Sequence, residues 1–192
     1  MKTTIDLTTP FDFQATITTL QRGPDDPVNL VDQQIWQRCF QINGQPNLLS
    51  VHFDQGVQIS RLSGQAKKEE LETLISHCLG LDDPLLTETA MDDRIHSAWG
   101  IAVPGYPSLF EALVQTLFGQ LVSVPVANQM RRRFVLAFGK SYEHDGRTGY
   151  IFPEARLIAR LNEEDLKVIG TSQMKIRSIL AVARAFADDG IA

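Results

Sequence analysis

Long apolar runs are missing from this chain. No stretch approaches the ~20 consecutive apolar residues that a membrane-spanning helix needs. The opening residues, MKTTIDLTTPFDF, carry one lysine but no apolar core segment, so they do not read as a secretory signal. Cysteine is scarce too: Cys39 and Cys78 lie in unrelated contexts and form no CxxC pair. Each sits in an apolar pattern and reads as a small buried hydrophobe of a reducing compartment. The expected setting is cytoplasmic, with no membrane partner. Four histidines, His52, His77, His96 and His144, are scattered singly, none with a second ligand at metal-binding spacing. A GxSxG elbow, a Gly-rich phosphate loop and an HExxH helix are all absent. No metal and no cofactor are therefore expected.

What is present suffices for a folded protein. At 192 residues, 43% hydrophobic and 21% charged, the chain can bury a core and is neither disordered nor collagen-like. Its formal net charge of −5 excludes a uniformly basic coat for nucleic acid. The charge is uneven, however. Residues 1–98 hold 7 basic and 14 acidic groups, whereas residues 99–192 hold 11 and 9. A polyanionic partner would face the second half.

The patterning predicts an α+β fold in two parts: an antiparallel sheet with helices on one face over residues 1–88, then an all-helical domain over 89–192. Thr3–Leu7 is a short strand candidate, and Asp12 a cap for a helix burying Phe13, Ile17 and Leu20. Strand-like runs follow at Ile35–Ile42, Leu48–Phe53 and Val57–Leu62, with reversals at Asn43-Gly44 and Asp54-Gln55-Gly56. Lys67–Leu81 then switches to helical spacing through Leu71, Ile75 and Cys78. In the second half Ser108-Leu109-Phe110-Glu111 fits a capping box. Ser123-Val124-Pro125 restarts a helix that runs to Phe138. Lys140–Tyr150 reads as a polar loop. Shorter helices begin near Pro153 and Asn162, and Ser172 opens the last, with Met174, Ile179, Leu180, Ala183 and Phe186 inward.

The informative block is Leu117-Phe118-Gly119-Gln120-Leu121-Val122-Ser123-Val124. It breaks an apolar helix with Gly-Gln and restarts it three residues later, pushing Gln120 and Leu121 out at a corner. An amide there can hydrogen-bond base edges, and an aliphatic side chain can wedge between stacked bases. Spacing alone favours the alternative, in which Leu121 packs in the elbow between the helices. Arg131-Arg132-Arg133 lies in the less acidic half, but successive helix positions turn by ~100°, so the three cannot address one ligand together. Arg131 and Arg132 are the candidates for phosphate contact.

Phe110-Glu111-Ala112-Leu113-Val114 followed by Gly119-Gln120-Leu121-Val122-Ser123-Val124 resembles the start of the helical domain of the helix–hairpin–helix DNA glycosylases. Within these, the chain resembles the DNA-3-methyladenine glycosylase II family. Phe152-Pro153-Glu154, the Leu161–Gly170 segment followed by Lys175, and Pro10-Phe11-Asp12-Phe13 are similar to family segments in the same order. The resemblance implies base-excision repair of alkylated, damaged double-stranded DNA, with hydrolysis of the N-glycosidic bond after the nucleotide is flipped out. By the same resemblance Leu121 fills the gap left by that nucleotide, Gln120 contacts the neighbouring bases, and Phe11 and Phe13 are candidates for an aromatic base pocket, with packing in the core the favoured alternative for both.

The family's hairpin, of the type L-P-G-I-G-x-W-T-A, and its catalytic aspartate would follow the last helix seen here. No such motif occurs within these 192 residues, and Asp188 and Asp189 end a helix. No catalytic residue is assigned. The expectation is therefore an incomplete, inactive form that binds DNA weakly by itself, with exposed apolar surface open to homodimer formation. The alternatives are a non-catalytic DNA- or protein-binding module, or a glycosylase for another lesion such as an oxidised purine.

Overall fold

The computed structural model describes residues 1–7, 11–82 and 102–188. Two compact units result: Met1–Gln21 with Asn29–Pro107, and Arg22–Val28 with Ser108–Ala192. The expected boundary at residues 88 and 89 lies outside the described residues. The division is also not a single cut, since Arg22–Val28 from the first half of the sequence belongs to the second unit.

The first unit is built on strands β1 (Lys2–Ile5), β2 (Leu30–Asp32), β3 (Ile35–Ile42), β4 (Gln45–Phe53) and β5 (Val57–Ser63). They form an antiparallel sheet in the order β1-β5-β4-β3-β2. Asn43 and Gly44 both take positive φ, 52° and 71°, the two-residue turn that matches strand twist. This turn sets Ile42 opposite Gln45 and carries β4 back to Gln45, ahead of the apolar run. A register shift at Leu48/Leu49 separates that polar start from the alternating part. β2 gave no turn signal, because its reversal into β3 rests on Gln33 at φ 51° instead of glycine or asparagine.

Helix α1 (Phe13–Leu20) is capped as its sequence predicts, with Asp12 accepting from the Ala15 amide at 2.8 Å. Helix α2 (Lys68–Leu79) ends at Gly80, whose φ of 68° suits the left-handed stop. Phe13, Ile17 and Leu20 of α1 and Leu71, Ile75 and Cys78 of α2 join Trp36, Val51 and Ile59 in one core. Cys39 and Cys78 are buried and form no disulfide. Asn29, also buried, accepts from Trp36 Nε1 and Arg38 Nη1, both at 3.2 Å.

The second unit comprises α3 (Leu109–Gly119), α4 (Val124–Phe138), the hairpin β6 (Ser141–His144) and β7 (Arg147–Tyr150), α5 (Ala155–Ile158), a 3₁₀ turn (Asp165–Ile169) and α6 (Gln173–Asp188). The all-helical expectation is thus corrected. Lys140–Tyr150 is largely a hairpin whose Asp145-Gly146 turn has φ 48° and 73°. Its strands escaped the sequence reading because Ser141, Glu143, Arg147 and Thr148 are polar and show no apolar alternation. The main chain docks it, through Tyr150 N–H to Pro27 O at 2.7 Å. Phenylalanines in edge-to-face and tilted contact run through the core, with ring centroids 5.5 Å apart for Phe118–Phe134 and 5.6 Å for Phe134–Phe152. On α6, Ile176, Ile179, Leu180 and Ala183 are buried, but Met174 is exposed and not inward. It stands two residues before Ile176, ~200° around the helix from the buried stripe.

Candidate nucleic-acid interface

α3 begins at Ser108, whose Oγ accepts from the Glu111 amide at 3.2 Å. Phe110, Val114 and Phe118 recur along its buried face and draw the helix onto the core. The helix runs through Gly119 and ends at Gln120, which is extended at φ −65° and ψ 127°. Leu121 follows in the left-handed region at φ 56°. α4 then starts after Ser123 with Pro125 in its first turn, where the missing N–H loses no partner. Ser123 makes no side-chain capping bond, unlike the sequence expectation.

The corner separates two aliphatic neighbours. Val122 packs against the helical core, whereas Leu121 is fully exposed, at 104% of its reference surface. Val122 thus occupies the elbow that Leu121 could have filled. Left-handed geometry costs a non-glycine residue ~1–2 kcal/mol, and an exposed leucine recovers none of that by burial. Gln120 is exposed beside it. Below the corner, Lys175 Nζ donates to the Phe118 carbonyl at 3.1 Å, joining the last turn of α3 to the first turn of α6. The sequence marked Lys175 only as part of a family-like segment. A cation in a helix's first turn, where the helix dipole disfavours it, was the available signal.

The arginine run divides by face. Arg131 is buried, with Nη1 2.5 Å from Asp26 Oδ1, so its assignment as a phosphate contact is corrected. Position on the inner face of α4, beside Phe134 and Val135, keeps it from any external ligand. Asp26 also accepts from the amides of Arg22 and Val28, both at 2.9 Å. Burial pushes its carboxyl pKa up, but the Arg131 charge and these hydrogen bonds outweigh that and hold it below the usual carboxylate value. Arg132 is exposed. Arg133 is exposed as well and lays its guanidinium against Gly170.

Phe11 and Phe13 belong to the first unit. Their rings pack on each other at 6.3 Å and on the exposed Phe53 at 6.4 and 6.3 Å; Phe13 is buried in the core of the first unit, and Phe11 is partly buried against it. These contacts join α1 to its sheet, and a base-pocket role for Phe11 and Phe13 remains a proposal. Among the described residues no group of three or more His, Cys, Asp or Glu side chains is placed to hold a metal ion. No helix among them is long and apolar enough to cross a membrane.

This fold, an antiparallel sheet unit and a helical unit carrying an outward Gln-Leu corner, is similar to that of solved DNA glycosylases. A 3-methyladenine DNA glycosylase from Archaeoglobus fulgidus superposes with a TM-score of 0.78 at 21% identity, over 95% of this chain and 66% of that one. An 8-oxoguanine glycosylase/lyase of Clostridium acetobutylicum, in complex with double-stranded DNA containing cytosine opposite 8-oxoG, gives 0.62 at 14% identity, over 99% and 67%. In sequence the chain is similar to a DNA-3-methyladenine glycosylase. It is 30% identical to the DNA-3-methyladenine glycosylase of Bacillus subtilis (strain 168) over 191 residues, 92% of this chain. The match spans 63% of that relative's length. No family model matches the chain.

Proposed function

We propose that the chain is the damage-probing part of a monofunctional base-excision glycosylase, one that hydrolyses the N-glycosidic bond of alkylated bases of the 3-methyladenine type. The observation that carries this reading is Leu121, fully exposed and held at φ 56° beside Gln120. A left-handed, unburied leucine contributes nothing to packing, and such outliers cluster where function demands them. Inserted into duplex DNA, Leu121 fills the space of an extruded nucleotide while the Gln120 amide meets the adjacent base edges. Extrusion costs a few kcal/mol and is cheapest at damaged or mispaired bases, which gives the probe selectivity. The names of the relatives support alkylated bases as substrate.

No residue of these 192 is proposed as catalytic. The reading is tested by measuring 3-methyladenine release from methylated DNA. The 192-residue chain alone releases none. The same chain joined to the C-terminal portion of the Bacillus subtilis relative releases it. A folded, joined protein without release overturns the substrate assignment, and tight, salt-sensitive DNA binding by the 192-residue chain alone favours a non-catalytic binding module.

Arg132 remains the proposed phosphate contact, on the exposed side of α4. Each phosphate neutralised contributes roughly −0.9 to the slope of log affinity against log salt. Replacing Arg132 by alanine therefore flattens that slope by about 1, equally for damaged and undamaged duplex. A fluorescence anisotropy titration at several salt concentrations measures it.

A further inference from the structure

We propose that Lys175 is the positioning residue of the Gln120–Leu121 corner: its ammonium holds the C-terminal end of α3 so that Leu121 stays left-handed and outward. The inference rests on reading Leu121 as a wedge and adds the group that keeps the wedge in place.

A helix leaves its last carbonyls without intrahelical partners, and a left-handed glycine just beyond the end commonly provides the N–H groups that satisfy them. Here the glycine falls two residues too early for that purpose. Gly119 lies inside α3, and the left-handed position falls on Leu121. The Phe118 carbonyl is met instead by Lys175 Nζ at 3.1 Å. That ammonium also balances the partial negative charge at the end of α3.

Lys175 is poorly placed for its own helix. Its amide donates to Ser172 Oγ at 3.4 Å, which sets it in the first turn of α6, near the positive end of that helix's dipole. The first turn of α6 contains no acidic residue to offset the charge. The compensation comes from α3, three residues before Leu121. A locally unfavourable choice with a partner at the probing corner is a sign of a functional constraint. The corner needs such support because Leu121, fully exposed, has no packing to hold it. A wedge ordered before binding avoids the entropy of ordering it on the DNA.

The experiment uses the 192-residue chain with Lys175→Met, which keeps the apolar stem and removes the charge, and Lys175→Arg, which keeps the charge. The intraresidue amide–Hα nuclear Overhauser effect of Leu121 reports its positive φ without any DNA. Binding is read from 2-aminopurine beside an abasic-site analogue in a duplex. Lys175→Met loses the positive-φ signature and binds about tenfold more weakly, the loss of one charged hydrogen bond. Lys175→Arg retains both, and thermal melting of the two variants stays close to the parent. Retention of the positive-φ signature in Lys175→Met overturns the proposal. If that variant does not fold, Lys175→Gln is read by the same signature with the same two outcomes. Should Leu121→Ala bind the duplex as tightly as the parent while Lys175→Met still releases Leu121, the wedge reading falls and the positioning contact stands.

Discussion

Asp26→Asn destabilises the second unit by about 3–5 kcal/mol, the cost of stranding one partner of a buried ion pair. Asp26 Oδ1 lies 2.5 Å from Arg131 Nη1, and their side chains are 0% and 2% exposed. The amide removes the negative charge and leaves the Arg131 guanidinium buried without a counter-ion. It also sets an NH₂ group where one of the carboxylate oxygens had accepted an N–H, from Arg22 on one side or from Val28 and Arg131 on the other. A second replacement, Arg131→Met, recovers part of the loss. The double variant should show a coupling of about 2 kcal/mol in chemical denaturation. Simple additivity would mean that the two groups do not stabilise each other.

The same pair predicts a pH dependence of definite sign. The folded-state pKa of Asp26 is lowered, because the Arg131 charge and the hydrogen bonds outweigh burial. Its contribution is therefore fully present above the unfolded carboxylate value near ~3.9 and is lost as pH falls through the lower folded value. In denaturation curves at successive pH values, the gap between parent and Asp26→Asn is constant near neutrality and narrows in strong acid. A gap that widens in acid contradicts this.

Leu121→Ala has the largest expected effect on DNA engagement and almost none on the fold. With the side chain fully exposed, truncation forms no cavity, and stability changes by less than about 0.5 kcal/mol. Burying a leucine in the base stack contributes ~1.5–3 kcal/mol, so affinity for duplex with an abasic-site analogue falls about 10- to 100-fold. Undamaged duplex, gripped through phosphates, binds almost as before. Leu121→Gly sharpens the contrast. It relieves the left-handed strain of ~1–2 kcal/mol but makes the unfolded chain more flexible by ~0.5–1 kcal/mol, so it folds at least as stably while probing worst. A core leucine would show the reverse: loss of several kcal/mol and unchanged binding.

The sheet was legible because its signals are local. Asn43-Gly44 is a turn by the chemistry of two residues, and Val51 and Phe53 alternate with Ser50 and His52 on a pleated strand. The ends of α1, α3 and α4 were legible for the same reason, since Asp12, Ser108 and Pro125 act within one turn. The hairpin at 141–150 was not, because its strands are polar and only docking on Pro27 reveals their use.

The candidate site divides in the same way. From the sequence by itself came the tight break between two helices at Gly119-Gln120, a corner at Gln120 and Leu121, and a less acidic second half. These follow from helix stops, caps and charge, which each residue carries with it. Three neighbouring arginines are identical in sequence, and only the tertiary structure sends Arg131 inward to Asp26 and leaves Arg132 in solvent. Asp26 lies 105 residues away along the chain, so no local pattern could pair them. Likewise Leu121 and Val122 are adjacent and both aliphatic. Which one packs and which one projects was decided by the backbone angle at Leu121 and by the core that Val122 reaches.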